Sequence, residues 1–189
     1  MTTSHFDFLE RALSANKVKP RTQICFWDGT PTTLLDPTHK TEHSPELSSA
    51  TPIVYHLFGH EAYPESMVLT EDDCLDFLLK LALDVDQTEP IVPKYLRKAL
   101  SLSSLVLIGY RPGDWDFRVM FRGLIAATAS VDMLNLAIQF DPAKRGRGVS
   151  AGEIKEYLNK YFQPAFTVEW DSDYEFVAKL YDAWDCRRR

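Results

Sequence analysis

The sequence predicts an α/β fold with a mostly parallel sheet, and three observations lead to this prediction. Short apolar runs alternate with amphipathic stretches from residue 52 to the end, a pattern typical of βαβ units. Two of the apolar runs stop at a glycine, Gly59 and Gly109, where a strand would turn sharply. A chain of 189 residues that is 45% hydrophobic can bury one sizeable core, so we expect a single domain over 1–189.

The N-terminal third predicts one helix, one strand and a long loop. Residues 6–17 repeat apolar side chains at helical spacing, which predicts an amphipathic helix. The run QICFW at 23–27 predicts a short strand. Residues 28–52 contain four prolines and no apolar periodicity, so we expect a loop insertion there.

The middle of the chain predicts a buried strand followed by two helices. PIVYHLFG at 52–59 is a nearly continuous apolar run, as expected of a parallel strand covered on both faces. Within 67–83, Thr70 precedes a turn of acidic residues and then an apolar repeat, which predicts a helix with Thr70 as its N-cap. Residues 93–103 predict another helix, since Pro93 suits its first turn.

The C-terminal half continues the alternation. SLVLIGY at 104–110 is the clearest strand, and 114–129 predicts a helix with Asp114 as its N-cap. The last elements are a strand at 134–140, a basic loop at 141–148, a helix at 150–162, a strand at 165–170 and a helix at 172–184.

Composition narrows the classes of partner and compartment. The net charge is −6 and the one concentrated basic cluster is at 187–189, which argues against direct nucleic-acid binding. No window approaches the roughly 18 apolar residues of a membrane span, and the first residues do not resemble a signal peptide. The three cysteines are far apart along the chain, which favours a reducing compartment, and we expect the cytoplasm.

The strand ends are the candidate binding positions. Open α/β sheets bind ligands outside the carboxyl ends of their strands, where Gly59 and Gly109 fall. After Gly109, Arg111 offers a bidentate fork for an anion, and the helix start at Asp114 offers backbone N–H groups. Each residue also has a structural interpretation, which stays open: Arg111 as a solvated loop residue and Asp114 as a helix cap.

Motifs of other chemistries are absent from the sequence. There is no G-x-S-x-G elbow, no P-loop and no G-x-G-x-x-G turn. The histidine pairs 39/43 and 56/60 do not share a helix face, so we expect no metal site.

Several stretches resemble the sirtuin-like domain of bacterial defence and other NAD-consuming systems, the divergent branch of that superfamily. They are TTSHFDFLERAL, PIVYHLFGHEAYPESMVLTEDDCLDFL, SSLVLIGYRPGDWDFRVMFRGLI and FTVEWDSDYEFVAKL. The likeness runs in order along the chain. Its most specific part is the G-Y-x-x-x-D-W-D-F-R run at 109–118.

This resemblance implies a Rossmann-like three-layer fold that binds NAD and cleaves its nicotinamide–ribose bond. In the family, an Asn in a T-x-N-x-D segment positions the attacking group, and a His before a strand-terminal Gly acts as general base. The positions implied to contact NAD or ADP-ribose are Thr3, Asp7, Gly59, Gly109, Tyr110, Arg111 and Asp114.

Three departures from the family pattern bear on catalysis. His5 stands where the Asn is expected, or Ser4 in a shifted register. Phe58 takes the general-base position, and His56 lies two residues earlier on the same strand face, as a catalytic or a core residue. The glycine-rich first strand-turn-helix that cradles the pyrophosphate does not occur in 1–189, so we expect an N-terminally truncated member that lacks this unit.

Two functions follow as alternatives. The first is a degenerate NAD hydrolase, with His56 and His5 as candidate catalytic residues, which works weakly or with a partner chain. The second is a non-catalytic module that binds NAD or ADP-ribose or forms oligomers; a gene fragment without a separate role is a third possibility. Because a missing central strand leaves open edges, we expect a homo-oligomer or a partner chain that completes the sheet.

Overall fold

The computed structural model describes residues 1–28, 51–83, 90–111, 114–126, 129–139, 141 and 151–186. Within these residues all strand pairs are parallel and helices alternate with strands, so the predicted α/β class is confirmed. The predicted loop at 28–52 lies almost wholly outside the described residues, as does the basic loop at 141–148. The helices are α1 Phe8–Ala15, α2 Glu71–Leu83, α3 Lys94–Leu102, α4 Trp115–Met120, α5 Ala151–Phe162 and α6 Asp173–Cys186. The strands are β1 Arg21–Ile24, β2 Ile53–His56, β3 Val106–Leu107, β4 Leu136–Gln139 and β5 Thr167–Trp170.

The chain divides into two compact units, Met1–Leu96 and Arg97–Arg189. That 1–189 is one domain stays a prediction. In the first unit β2 lies between β1 and the N-terminal residues. The backbone N–H of Thr2 donates to the carbonyl of Tyr55 (2.8 Å), and the N–H of Leu57 donates to the carbonyl of Thr2 (2.9 Å). Because β2 is central, Tyr55, His56 and Leu57 are almost fully buried.

The helices of the first unit form for different reasons. The Asp73 N–H donates to the Thr70 hydroxyl (3.0 Å) and the Thr70 N–H donates to the Asp73 carboxylate (2.9 Å), so the predicted N-cap of α2 is confirmed. The predicted N-terminal helix is present as α1, but none of its residues is buried, and Phe8 is 61% exposed. What attaches α1 to the sheet is a polar contact, made by Glu10.

The second unit has a three-stranded parallel sheet with β4 in the centre. Asn135, directly before β4, ties the amino ends of the three strands together. Its side-chain amide N–H groups donate to the carbonyls of Ser130 (2.9 Å) and Ala165 (3.0 Å), and its side-chain oxygen accepts from the N–H of Leu105 (2.9 Å). Asn135 is 2% exposed, so these bonds satisfy a buried amide.

The predicted helix at 114–129 is present as α4, which continues into a π-helical stretch at Phe121–Ile125. Asp114 occupies the N-cap position with an extended backbone, as predicted, but its side chain makes no capping hydrogen bond. Phe117 and Phe121 face the core, and Phe121 packs against the rings of Phe162 and others.

The two strand-end glycines have the same backbone conformation in different surroundings. Gly59 has φ +83° and Gly109 has φ +81°, a region that side chains disfavour. A Cβ on Gly59 would lie 2.1 Å from the carbonyl oxygen of Ser66, whereas a Cβ on Gly109 would meet no atom of the described residues within 4 Å. Packing therefore demands glycine at 59, while only the backbone angle demands it at 109.

This difference predicts unequal costs for two matched substitutions. Gly59→Ala should lower the free energy of unfolding by about 3 kcal/mol or more, since backbone strain and a backbone clash add. Gly109→Ala, the control, should cost about 1–2 kcal/mol because only the strain applies. Urea unfolding of both variants measures this. Equal costs would show that the Ser66 backbone moves aside freely.

Candidate functional site

The N-terminal segment leaves the sheet beside β2. Thr2 pairs in parallel with His56, and the chain then turns twice. The Ser4 N–H donates to the Thr2 hydroxyl (3.0 Å), and the Phe6 N–H donates to the Ser4 hydroxyl (3.2 Å). Asp7 is the N-terminal flanking residue of α1. This segment therefore follows the end of a parallel pairing, where an α/β fold places its ligand contacts.

His56 is fully buried, and both of its ring nitrogens are engaged. Nδ1 lies 2.8 Å from the carbonyl oxygen of Ser4, and Nε2 lies 2.8 Å from Oε1 of Glu10. Since a carbonyl only accepts, Nδ1 is the donor to Ser4. The ring also packs edge-on against His60, with centroids 4.6 Å apart. In this arrangement neither nitrogen is available to a substrate, and a catalytic role for His56 stays a prediction.

Glu10 is a buried partner of His56 that the sequence analysis missed. Its Oε1 accepts from His56 and from the Thr22 hydroxyl (3.0 Å), and its side chain is 13% exposed. Burial acts to raise the pKa of Glu10, but hydrogen bonds from His56, from the backbone and from Thr22 outweigh it and hold the pKa below its ordinary value. A sequence signal existed, because Glu10 lies four residues after Phe6 and so on the apolar face of the helix.

The position expected to hold a general base is apolar. The ring of Phe58 packs against Phe77, with centroids 5.3 Å apart and planes at 80°. Gly59 follows. Its close approach to Ser66 by itself explains why this residue is a glycine, so no ligand is needed to explain it. His5, the other candidate catalytic residue, has a buried Nδ1 with no hydrogen-bond partner among the described residues.

Thr3, His5 and Asp7 are all partly exposed, unlike His56. The Asp7 carboxylate makes a long ion pair with Arg11, with Oδ1 3.9 Å from the guanidinium nitrogen. The hydrogen bond between Ser4 and His56 places the segment that contains Thr3, His5 and Asp7 beside His56, at the end of β2.

A second set of candidates belongs to the other unit and follows β3. The N–H of Gly109 donates to the carboxylate of Asp173 (3.2 Å). The ring of Tyr110 stacks on Phe117, with centroids 4.9 Å apart, so this side chain packs against the core. Arg111 and Asp114 are exposed. Of the four candidates in this unit, Gly109, Arg111 and Asp114 thus present open surface to a ligand.

Two acidic residues after β5 were not found from the sequence. Asp171 is 4% exposed and lies at the carboxyl end of β5. The hydrogen bond from Lys179, above all, lowers the pKa of Asp171. Asp173 follows and accepts from Gly109. Both carboxylates thus follow the carboxyl end of β5, and Asp173 contacts the backbone of Gly109.

Other kinds of site are not supported within the described residues. These residues contain no cluster of three or more metal-ligating side chains. A cavity of about 370 Å³, lined by Asn159, Gln163 and Thr167 among others, lies at the amino end of β5, away from the Gly109 edge. In the described part of the chain, no helix has both the length and the apolar character that crossing a membrane requires.

The geometry defines an α/β protein with parallel strands and its candidate residues at strand carboxyl ends. The model of the SIR2-like domain family matches residues 1–162, which is most of the chain. The chain therefore belongs to the SIR2-like domain family, and this membership indicates an NAD-related function. The match ends with α5, so β5 and α6 lie beyond it. A search of curated proteins gives no match.

The lowered pKa of Glu10 predicts a pH dependence of stability. A carboxyl whose pKa is lower in the folded state stabilises the fold above its ordinary pKa of 4.5, and this contribution is lost as the pH falls through the lowered value. Glu10→Gln should cost about 1–3 kcal/mol at pH 7 and flatten the acid limb of the stability curve. Urea unfolding between roughly pH 3 and pH 7, the range over which this carboxyl changes its charge, measures the cost at pH 7 and the slope of the acid limb. Identical slopes in the variant and the parent protein would contradict the prediction.

Proposed function

We propose that this chain is an NAD- or ADP-ribose-binding module whose own residues do not complete a hydrolase site. One observation carries the proposal: Phe58 stands at the expected general-base position, and the nearby His56 is buried with both ring nitrogens bonded. General bases typically contribute 10²–10⁴-fold to a rate, so their loss leaves binding without efficient turnover.

The proposed ligand contacts come separately from each unit. In the first unit they are Thr3, Asp7 and Gly59, with His5 in place of the expected Asn. In the second they are Gly109, Tyr110, Arg111 and Asp114. Arg111 is the proposed phosphate contact, because an exposed guanidinium offers the planar fork that binds phosphate oxygens. Gly109 supports this, since a ligand could approach its backbone unhindered.

A weak NAD hydrolase is the second candidate, and the family match favours it. We place the chain in the divergent NAD-consuming branch associated with bacterial defence, in the cytoplasm. The pyrophosphate-binding turn, which 1–189 does not contain as a glycine-rich motif, would then come from outside these residues, for which we propose a partner chain. The His56 and His5 rings are the candidate catalytic groups in that case.

Calorimetric titration with NAD and with ADP-ribose, alongside a nicotinamide-release assay on the same sample, separates these functions. We expect heat of binding and little or no release. Arg111→Ala should weaken ADP-ribose binding about tenfold, the cost of one charge-assisted contact. The matched control is Lys160→Ala, since Lys160 is exposed in the last turn of α5, just before the amino end of β5.

The outcomes are distinct. If the protein releases nicotinamide and His56→Ala abolishes that release, the chain is a hydrolase rather than a binding module. No heat with either ligand would refute nucleotide binding altogether. Equal weakening by Arg111→Ala and Lys160→Ala would show that general surface charge, rather than a site at Arg111, attracts the ligand.

We also propose self-association through β1. In the described residues β1 pairs with β2 alone. The N–H groups of Arg21 and Cys25 donate to the carbonyls of Pro52 and His56, so by strand alternation the N–H of Thr22 faces away from β2. Arg21 and Thr22 are exposed, so this first half of β1 is the part of the edge that can pair with a second chain.

Sedimentation velocity at micromolar concentration should give a dimer or larger species. Thr22→Pro should shift the protein towards the monomer, because proline removes the outward N–H of β1. Thr22→Val is the control, since both changes remove the hydroxyl that bonds Glu10. A monomeric parent protein, or equal effects of the two variants, would contradict pairing through β1.

A further inference from the structure

We infer that His56 is a positioning residue, which fixes the segment Thr3–Asp7 in the conformation that meets the nucleotide. The contact that does so is the hydrogen bond from Nδ1 to the Ser4 carbonyl (2.8 Å). Ser4 is the second residue of that segment, and Thr3 and Asp7 on either side of it are proposed ligand contacts. Only the affinity part of this inference rests on the proposed function.

The hydrogen bond reaches across the fold rather than along the chain. Ser4 and His56 are 52 residues apart, and His56 lies on the central strand β2 of its sheet. The bonds from Ser4 to Thr2 and from Phe6 to Ser4 are local, and they fix each turn without anchoring it to the sheet. One further long-range bond, from the Glu61 N–H to the His5 carbonyl (2.9 Å), ties the segment to the loop after β2. The His56 ring is the side chain that bonds the segment to the central strand itself.

Glu10 sets the orientation of the ring. Nε2 lies 2.8 Å from Oε1 of Glu10, and on the opposite side of the ring Nδ1 donates to the Ser4 carbonyl. His60 packs edge-on against the ring, and its Nδ1 accepts from the Ala62 N–H (3.1 Å). Glu10 thus holds His56 in the orientation in which Nδ1 meets Ser4, as a carboxylate orients the histidine of a catalytic triad.

Two isosteric substitutions separate the two bonds of the ring. The amide nitrogen of an asparagine can take the place of Nδ1, and that of a glutamine can take the place of Nε2. His56→Asn should keep the bond to Ser4 and lose the bond to Glu10. His56→Gln should do the reverse. Both variants lose one buried bond. His56→Asn leaves the Glu10 carboxylate without its His56 partner, which costs the fold more than a backbone carbonyl left without one. A purely structural role therefore predicts faster exchange in His56→Asn than in His56→Gln, and that order would overturn the inference.

The first measurement is hydrogen–deuterium exchange of the peptide covering residues 2–7. We expect faster exchange in His56→Gln, by about tenfold or more, and a change within about threefold in His56→Asn. Glu10→Gln is a third variant that should fold, because its amide can donate to Nε2 and leave Nδ1 on Ser4; its exchange should match that of the parent protein.

The second measurement is ADP-ribose affinity by calorimetry. His56→Gln should bind ADP-ribose about tenfold more weakly than the parent protein, and the affinity of His56→Asn should stay within about threefold of the parent value. If the parent protein binds no ADP-ribose, the proposed function fails, while the exchange data still test the positioning. Similar exchange in His56→Gln and His56→Asn, or protection unchanged in both, would overturn the inference.

Discussion

The buried pair of His56 and Glu10 is the interaction on which the N-terminal unit depends. It joins α1, which buries none of its own residues, to the central strand β2. A buried ionised group is costly unless it is paired and hydrogen-bonded. Here one ring nitrogen bonds to a carboxylate and the other to a backbone carbonyl, so both nitrogens are satisfied. A helix that lacks apolar anchorage is thereby held by a polar one.

The same pair shapes the backbone beside the candidate site. His56 bonds to the Ser4 carbonyl, and Phe58 packs against Phe77, so in this geometry both side chains support the fold. Under the proposed function, binding and catalysis would be separable properties of this unit, because the groups that shape the segment are not the groups that would transfer a proton.

The C-terminal unit is organised by different means. The buried amide of Asn135 joins the amino ends of its three strands, and an aromatic cluster around Phe121 fills the core. These features leave the opposite, carboxyl edge free for exposed side chains such as Arg111. The most family-specific run, 109–118, thus contains both core and surface residues: Phe117 packs inside, and Trp115 is 43% exposed.

Much of the local structure followed from the sequence by itself. The α/β alternation, the N-cap at Thr70 and the helix start at Asp114 were predictable, because each depends on residues within a few positions of one another. Strand lengths were less predictable from the sequence. The strand predicted at 104–110 extends only over Val106–Leu107 in the structure. Pairing with a neighbour decides where a strand ends, and the sequence pattern does not show it.

What only the tertiary structure decided were the roles of the polar and glycine residues at the site. Glu10 and His56 are 46 residues apart, and no local pattern pairs them. Gly59 and Gly109 look alike in the sequence and share a backbone angle, yet only Gly59 is pressed against another backbone. Near neighbours in the chain fix a helix or a turn, whereas the use of a buried side chain is fixed by the distant segment that folds against it.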